Sequence, residues 1–302
     1  MKTAFFGIGG IGGFIGGMVA RREAETYFFA RGANLRAIRE SGLFIESVQI
    51  ENFLVQPKCI TDDAAEIGVV DVLFITVKGY DLNEACSTAA PMIGPNTVVI
   101  PLLNGLIVSE QMEPLLPPCI IADGCIRAYC HLEKPGHVFH QSGGQIIIGM
   151  RNGEHVPVLY DIADMLSTSG VPTVVSEDIR LESWKKYVYI CGNSAVFCWF
   201  DAPAGAVRQM PGYETEFRAI MEELVSVAEV KGIELPKDTI ENALDAFFKM
   251  DADTVTSLYR DLCSGKPPEK TELFHLIGKM VQLGAETGVP TPYCQAVLRK
   301  FS

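Results

Sequence analysis

Two adjacent lysines, Lys185 and Lys186, stand in "LESWKKYVYICGNSAVFCWF" and are the groups best suited to move a proton onto a carbonyl oxygen. Beside a cleft, burial draws a lysine's pKa toward the working range and makes the ammonium a general acid. The competing reading is a solvated or snorkelling side chain that does no chemistry. Apolar residues at three- and four-residue steps (Leu181, Trp184, Val188, Cys191, Ala195) predict a helix whose buried face they form. Lys186 lies off that face, with Ile190, Asn193, Ser194 and Phe197 above it; by pattern alone Lys185 is an equal candidate. Lys78 in "VKGYD" and Asn104 in "LLNGL" stand at the ends of expected strands. Open α/β sheets bind ligands there, although Asn-Gly suits a plain turn as well. Ser257, Asp261, Glu269 and Glu272 gather in "TVTSLYRDLCSGKPPEKTELFHLIGKM". A serine there can hold a substrate carboxylate and a glutamate can orient a hydroxyl or the lysine; helix capping accounts for the same residues.

Other chemistries find little support. His131, His137 and His140 are close in sequence, but the last two face opposite sides of one strand, and no HExxH or Cys/His quartet occurs. No Ser-His-Asp or Cys-His arrangement has usable spacing. Nine cysteines are scattered without a CxxC pair, as expected for reduced cytosolic thiols that are mostly buried and inert. The formal net charge of −12 favours solubility and argues against a general nucleic-acid binder. An anionic ligand must therefore be met by a few local cations.

The run "AFFGIGGIGGFIGGMVARR", Ala4 to Arg22, carries seven glycines. A spanning helix needs about 20 apolar residues, and a secretion signal needs a basic lead and a cleavage site. The run supplies neither, although Gly9-Gly13 and Gly12-Gly16 mimic the small-residue packing of membrane helices. A loop built to approach a phosphate fits better. "KTAFFGIG" reads as a buried strand and "GGIGGFIGGMVARRE" as a turn entering a helix, with Gly7-x-Gly9-x-x-Gly12 between them. The first glycine permits a tight turn, the second a close backbone approach to a pyrophosphate, and the third close helix–strand packing. The helix N-terminus adds N–H groups and partial positive charge. The next strand, "ETYFFARG", ends in Arg31, and no Asp or Glu occupies residues 28–35. An acid there would favour NAD, whereas arginine suits the 2′-phosphate of NADPH.

These groups must be held by particular elements. "ANLRAIRESG" reads as a short helix stopped by Gly42, and "LFIESVQIENFLV" as strands of a hairpin. "DVLFITVK" and "NTVVIPLLNG" are β-rich runs, each followed by a helix, and "CIIADG" reads as another parallel strand. That alternation indicates βαβ units and an α/β fold with a parallel sheet. Consecutive strands with turns at Pro135-Gly136 and Gly143-Gly144 are expected next, and helices dominate from Leu181 onward. A domain junction is expected near Ser176, in a chain of 302 residues that is long enough for two domains.

The order and spacing of "GIGGIGG", "FFARGANLRAIRESGL", "VKGYD", "LLNG", "KPGHVFHQSGGQIIIG", "SWKKYVY", "TSLYRDL" and "TELFHLIG" resemble the ketopantoate reductase (2-dehydropantoate 2-reductase) family. The resemblance spans nearly the whole chain. It implies a Rossmann-like NADP-binding domain over 1–175, an all-helical substrate and catalytic domain over 176–302, and an active site between them. Its function would be the NADPH-dependent reduction of a small 2-oxo acid, ketopantoate, to pantoate in pantothenate synthesis, in the cytoplasm. By motif, Gly7, Ile8, Gly9, Gly10, Ile11 and Gly12 would hold the pyrophosphate and Arg31 the 2′-phosphate. Lys78, Asn104 and Glu272 would complete the cofactor site. The lysine two residues after the tryptophan is the family's general acid, which selects Lys186. Asn104, Ser194 and Ser257 would bind substrate. Glu269 competes with Glu272, because it fits the spacing from Asp261 better. The family places asparagines where this chain has Ile190, Ser194 and Ala204, which leaves another small 2-oxo acid or ketone open as substrate. A non-catalytic NADPH-binding sensor is a further alternative. No membrane or nucleic-acid partner is implied, and a homodimer is compatible with the reading.

Overall fold

The structure, a computed structural model, describes residues 1–106 and 108–302. These divide into two compact units. One holds residues 1–103 and 108–179; the other holds 104–106 and 180–302.

The first unit carries strands β1 (Thr3–Phe6), β2 (Thr26–Phe29), β3 (Leu43–Ser47), β4 (Phe53–Val55), β5 (Cys59–Thr61), β6 (Val72–Ile75), β7 (Val98–Pro101), β8 (Ile120–Ile121), β9 (Asp123–Lys134), β10 (His137–Gly149) and β11 (Thr173–Val175). Its helices are α1 (Gly10–Ala20), α2 (Gly32–Ser41), α3 (Ala64–Ile67), α4 (Leu82–Ala89), α5 (Val108–Met112) and α6 (Val158–Thr168). Six strands form one sheet in the order β5-β2-β1-β6-β7-β8, every pair parallel. Strands β1, β2, β6 and β7 are buried at every position, as expected when helices or a second layer cover both faces. Phe5 stacks on Phe74 across one face, with ring centroids 4.8 Å apart, and Phe6 stacks on Phe29 across the other at 4.0 Å. This is the doubly wound, Rossmann-like architecture.

A second sheet runs β11-β10-β3-β4, with β9 antiparallel to β10. Helix α1 packs against both sheets, and this explains its glycines. A Cβ on Gly12 would lie 2.2 Å from the Gly7 carbonyl oxygen, and one on Gly16 would meet Phe28 of the parallel sheet at 2.8 Å. From the opposite side, a Cβ on Gly10 would lie 2.5 Å from the Cys130 carbonyl and one on Gly13 would lie 2.7 Å from Val138. The small residues bring backbone close to two sheets, not to a neighbouring membrane helix. Among the described residues no helix is long and apolar enough to cross a membrane.

One expected turn is corrected. Pro135-Gly136 does turn the chain between β9 and β10, but Gly143-Gly144 lies inside β10, where the register with β9 shifts. Both glycines have positive φ, +85° and +120°, and a Cβ on Gly143 would lie 2.3 Å from the Arg127 carbonyl. The pair makes a bulge, which demands the same residue type as a turn.

Among the described residues the regular elements of the second unit are all helices: α7 (Ile179–Phe200), α8 (Ala204–Val207), α9 (Tyr213–Val230), α10 (Thr239–Phe248), α11 (Ser257–Cys263), α12 (Lys279–Thr287) and α13 (Pro292–Phe301). A π-helical turn, Phe274–Gly278, leads into α12. Phe197, Phe217 and Phe247 share the core, with ring centroids of Phe197 and Phe217 at 5.5 and 5.3 Å from that of Phe247. The fully buried Tyr187 hydroxyl donates to the Leu276 carbonyl at 2.7 Å, tying α7 to the π turn. Glu223, also buried, accepts from the backbone N–H groups of Tyr293 (2.6 Å) and Cys294 (3.1 Å) and so caps α13. Burial pushes its carboxyl above the usual range, against the pull of those two donors.

Candidate active site

In the first unit the chain leaves β1 through Gly7, whose φ of +101° a side chain would resist. Thr76, just past β6, donates its hydroxyl to the Gly7 carbonyl at 2.7 Å and holds the turn. Ile8 is buried, and its carbonyl accepts from the Asn34 side chain at 2.5 Å. The same Asn34 accepts from the Gly136 N–H at 2.8 Å, so one amide clamps the glycine turn to the second sheet. Gly9 is the N-cap of α1 and no side chain caps the helix there. An α-helix cannot satisfy its own first N–H groups, and those of Gly10, Ile11 and Gly12 begin this one. Around Gly9 a Cβ would meet nothing within 4 Å, so the backbone is open to a ligand on that side. Open space, orphan donors and a helix N-terminus fit a dinucleotide pyrophosphate.

Arg31 is the N-cap of α2, exposed at the end of β2. Its Nη1 pairs with Oε1 of Glu84, in the first turn of α4. Lys78 is exposed and begins the 3-10 turn Gly79–Asp81 after β6. Gly7, Arg31 and Lys78 thus stand at the carboxyl ends of β1, β2 and β6, three adjacent strands.

The remaining candidates belong to the second unit. Lys186 is half-buried on α7, whereas Lys185 forms an ion pair with Glu182 at 2.6 Å. Asn104 meets Glu272 with its Nδ2 3.5 Å from Oε2. Glu272 is buried, while Glu269 lies exposed in a 3-10 turn, Pro268–Lys270. One turn beyond Glu272, burial lowers the pKa of His275, and the Glu272 carboxylate opposes that shift. Ser257 is exposed as the first residue of α11, behind the N-cap Thr256. Ser194 is buried on α7, and so is Ala204, whose N–H donates to the Thr254 carbonyl at 3.1 Å. Asn193 is buried too. Its Nδ2 donates to the Tyr189 carbonyl at 2.8 Å, while its Oδ1 has no hydrogen-bond partner. It lies seven residues from Lys186, on the same side of the helix. Among the described residues no cluster of His, Cys, Asp or Glu could hold a metal ion.

Sequence reading missed Thr76, Asn34 and Glu84. Each acts through a partner distant in the chain.

A glycine turn at the end of a central parallel strand, opening onto the N-terminus of a helix, is the arrangement of the dinucleotide-binding class of α/β folds. Comparison with known proteins narrows this class. The family model described as "Ketopantoate reductase PanE/ApbA" matches residues 3–153, and its C-terminal counterpart matches 178–302. The chain belongs to the ketopantoate reductase family. It is similar to YkpB, an uncharacterized oxidoreductase of Bacillus subtilis, with 25% identity covering 98% of this chain and 96% of that one. It is also similar to the 2-dehydropantoate 2-reductase of Halobacterium salinarum, with 26% identity covering 97% and 95%. Among solved structures, a PanE/ApbA family ketopantoate reductase from Ralstonia eutropha superimposes with a TM-score of 0.90. Its sequence is 26% identical, over 100% of this chain and 97% of that one.

Proposed function

We propose that this protein reduces 2-dehydropantoate to pantoate with NADPH, the reductive step of pantothenate synthesis. The observation that carries the proposal is the uncapped, glycine-rich first turn of α1 at the end of β1, in a chain matched by the family models over both of its parts. Residues 1–175 would form the cofactor domain and 176–302 the substrate domain. Gly7 to Gly12 receive the pyrophosphate, Arg31 the 2′-phosphate, and Lys78, Asn104 and Glu272 the remainder of the cofactor site. When bound, the dinucleotide supplies a hydride to the ketone carbon. Lys186 gives a proton to the ketone oxygen. The buried carboxylate of Glu272 holds Asn104, and Ser257 and Ser194 contact the oxo acid. Positioning of the two reactants supplies much of the rate. Nine free cysteines fit a reducing cytoplasm.

Ile190, Ser194 and Ala204 support a second reading, in which the substrate is another small 2-oxo acid. Ala204 is buried and apolar, so it offers substrate no hydrogen bond. NADPH oxidation followed by absorbance, with ketopantoate and a panel of 2-oxo acids, tests both. Turnover best with ketopantoate supports the first; poor turnover there and good turnover elsewhere supports the second. Dinucleotide binding without any turnover would overturn both.

A further inference from the structure

We propose that Glu84 sets cofactor choice at the ribose end of the dinucleotide site, competing with a 2′-phosphate for Arg31 and offering an acceptor to a 2′-hydroxyl. This rests on the dinucleotide reading above. Residues 28–35 hold no acid, which on sequence favours NADPH alone. The fold brings a carboxylate to the same place from another element. Strands β2 and β6 flank β1 in the sheet, so the ends of both lie beside the glycine turn. Arg31 closes β2, and Glu84 stands in the first turn of the helix that follows β6. Their side chains meet as an ion pair across 53 residues of sequence.

The surroundings leave room for a ligand at this pair. Gly32, next to Arg31, has nothing within 4 Å of where a Cβ would stand. The two side chains are 55% and 60% exposed, so the pair is weak and opens readily. A 2′-phosphate arriving there must take the guanidinium from Glu84 and then lie beside its negative charge. A 2′-hydroxyl meets no such conflict and can donate to the carboxylate, the role an acid at the end of the second strand plays in NAD-binding folds. Glu84 therefore narrows the preference that Arg31 alone would create.

The test is equilibrium titration of the full-length protein with NADPH and with NADH. The variants are Glu84→Gln, Arg31→Met and the double substitution. Glu84→Gln keeps size and removes charge. It is expected to tighten NADPH and leave NADH unchanged or weaker, moving the ratio of the two dissociation constants about fivefold toward NADPH, the upper range for one exposed charge pair. With Arg31→Met in place, the same change is expected to move the ratio by less than about twofold, because coupled neighbours are not additive. A ratio unmoved by Glu84→Gln, or moved equally in both backgrounds, would overturn the proposal. A wild-type protein that prefers NADH but shows these shifts would remove NADPH from the proposed function and leave the role of Glu84 standing. Binding of neither nucleotide would overturn both.

Discussion

At the scale of single residues, glycines in one turn serve opposite ends, and substitution separates them. Gly9 has an ordinary φ of −92° and open space around it, so Gly9→Ala is expected to leave the melting temperature nearly unchanged. Its methyl group would stand where a pyrophosphate approaches, and dinucleotide affinity is expected to fall about tenfold in a titration. Gly12→Ala puts a Cβ 2.2 Å from both the Gly7 carbonyl and the Thr76 hydroxyl. Overpacking of this kind costs about 1–3 kcal/mol, readable as an earlier denaturation midpoint. For chemistry the expected result is different. Lys186→Ala is expected to lower turnover about a hundredfold or more with nucleotide binding little altered, as for loss of a general acid. Near-normal turnover would remove Lys186 from the mechanism. Much of this was legible in sequence because the glycine turn is local: six consecutive residues carry it. The contact of Asn104 with Glu272 joins residues 168 apart, and no spacing rule reaches that far.

At the scale of elements, β10 carries the clearest pH sensitivity. His140 is buried, with its ring stacked on Phe14 at 3.9 Å between centroids. Its Nδ1 lies 2.8 Å from the Ser47 hydroxyl, so β10, β3 and α1 meet at one imidazole. Burial lowers its pKa below the ordinary 6.5, and hydrogen bonds to the backbone at Gly143 and Ser142 oppose this only partly. The folded protein then binds fewer protons than the unfolded chain as the medium acidifies. Stability is full above 6.5 and is lost as pH falls from there through the lower folded value. Denaturation midpoints measured from neutral pH downward are expected to decline less steeply in His140→Gln than in the wild type. A parallel decline would show that another group controls the acid limb. The second sheet that His140 helps to anchor was only partly legible. The β3–β4 hairpin follows from local alternation, but the pairing of Phe44 with His137 is set by tertiary packing. Gly143-Gly144 misled for a related reason, since bulge and turn ask for the same residue.

At the scale of the whole molecule, a ligand that binds only the folded chain must stabilise it. At about a hundred times its dissociation constant, NADPH is expected to add about 2.7 kcal/mol, seen as a rise in melting temperature that the tenfold weaker binding of Gly9→Ala would cut to roughly half. No rise with the wild type would count against the cofactor assignment. The broad plan, a parallel α/β unit followed by helices, was readable because strand and helix periodicities differ, alternating up to β11 and giving way to helix alone beyond it. The π turn at Phe274–Gly278 has a further consequence, for the lengths this chain tolerates. Such a turn accommodates one residue more than regular winding does. Losing a single codon there would let the coil rewind as regular helix and leave Glu272 at nearly its present angle to α12, whereas the same loss from regular winding would rotate what precedes it by about 100°. Length variants of this helix should therefore gather at the π turn, and one that trims a single residue there should remain helical and keep Glu272 in place, as circular dichroism and an activity assay would show.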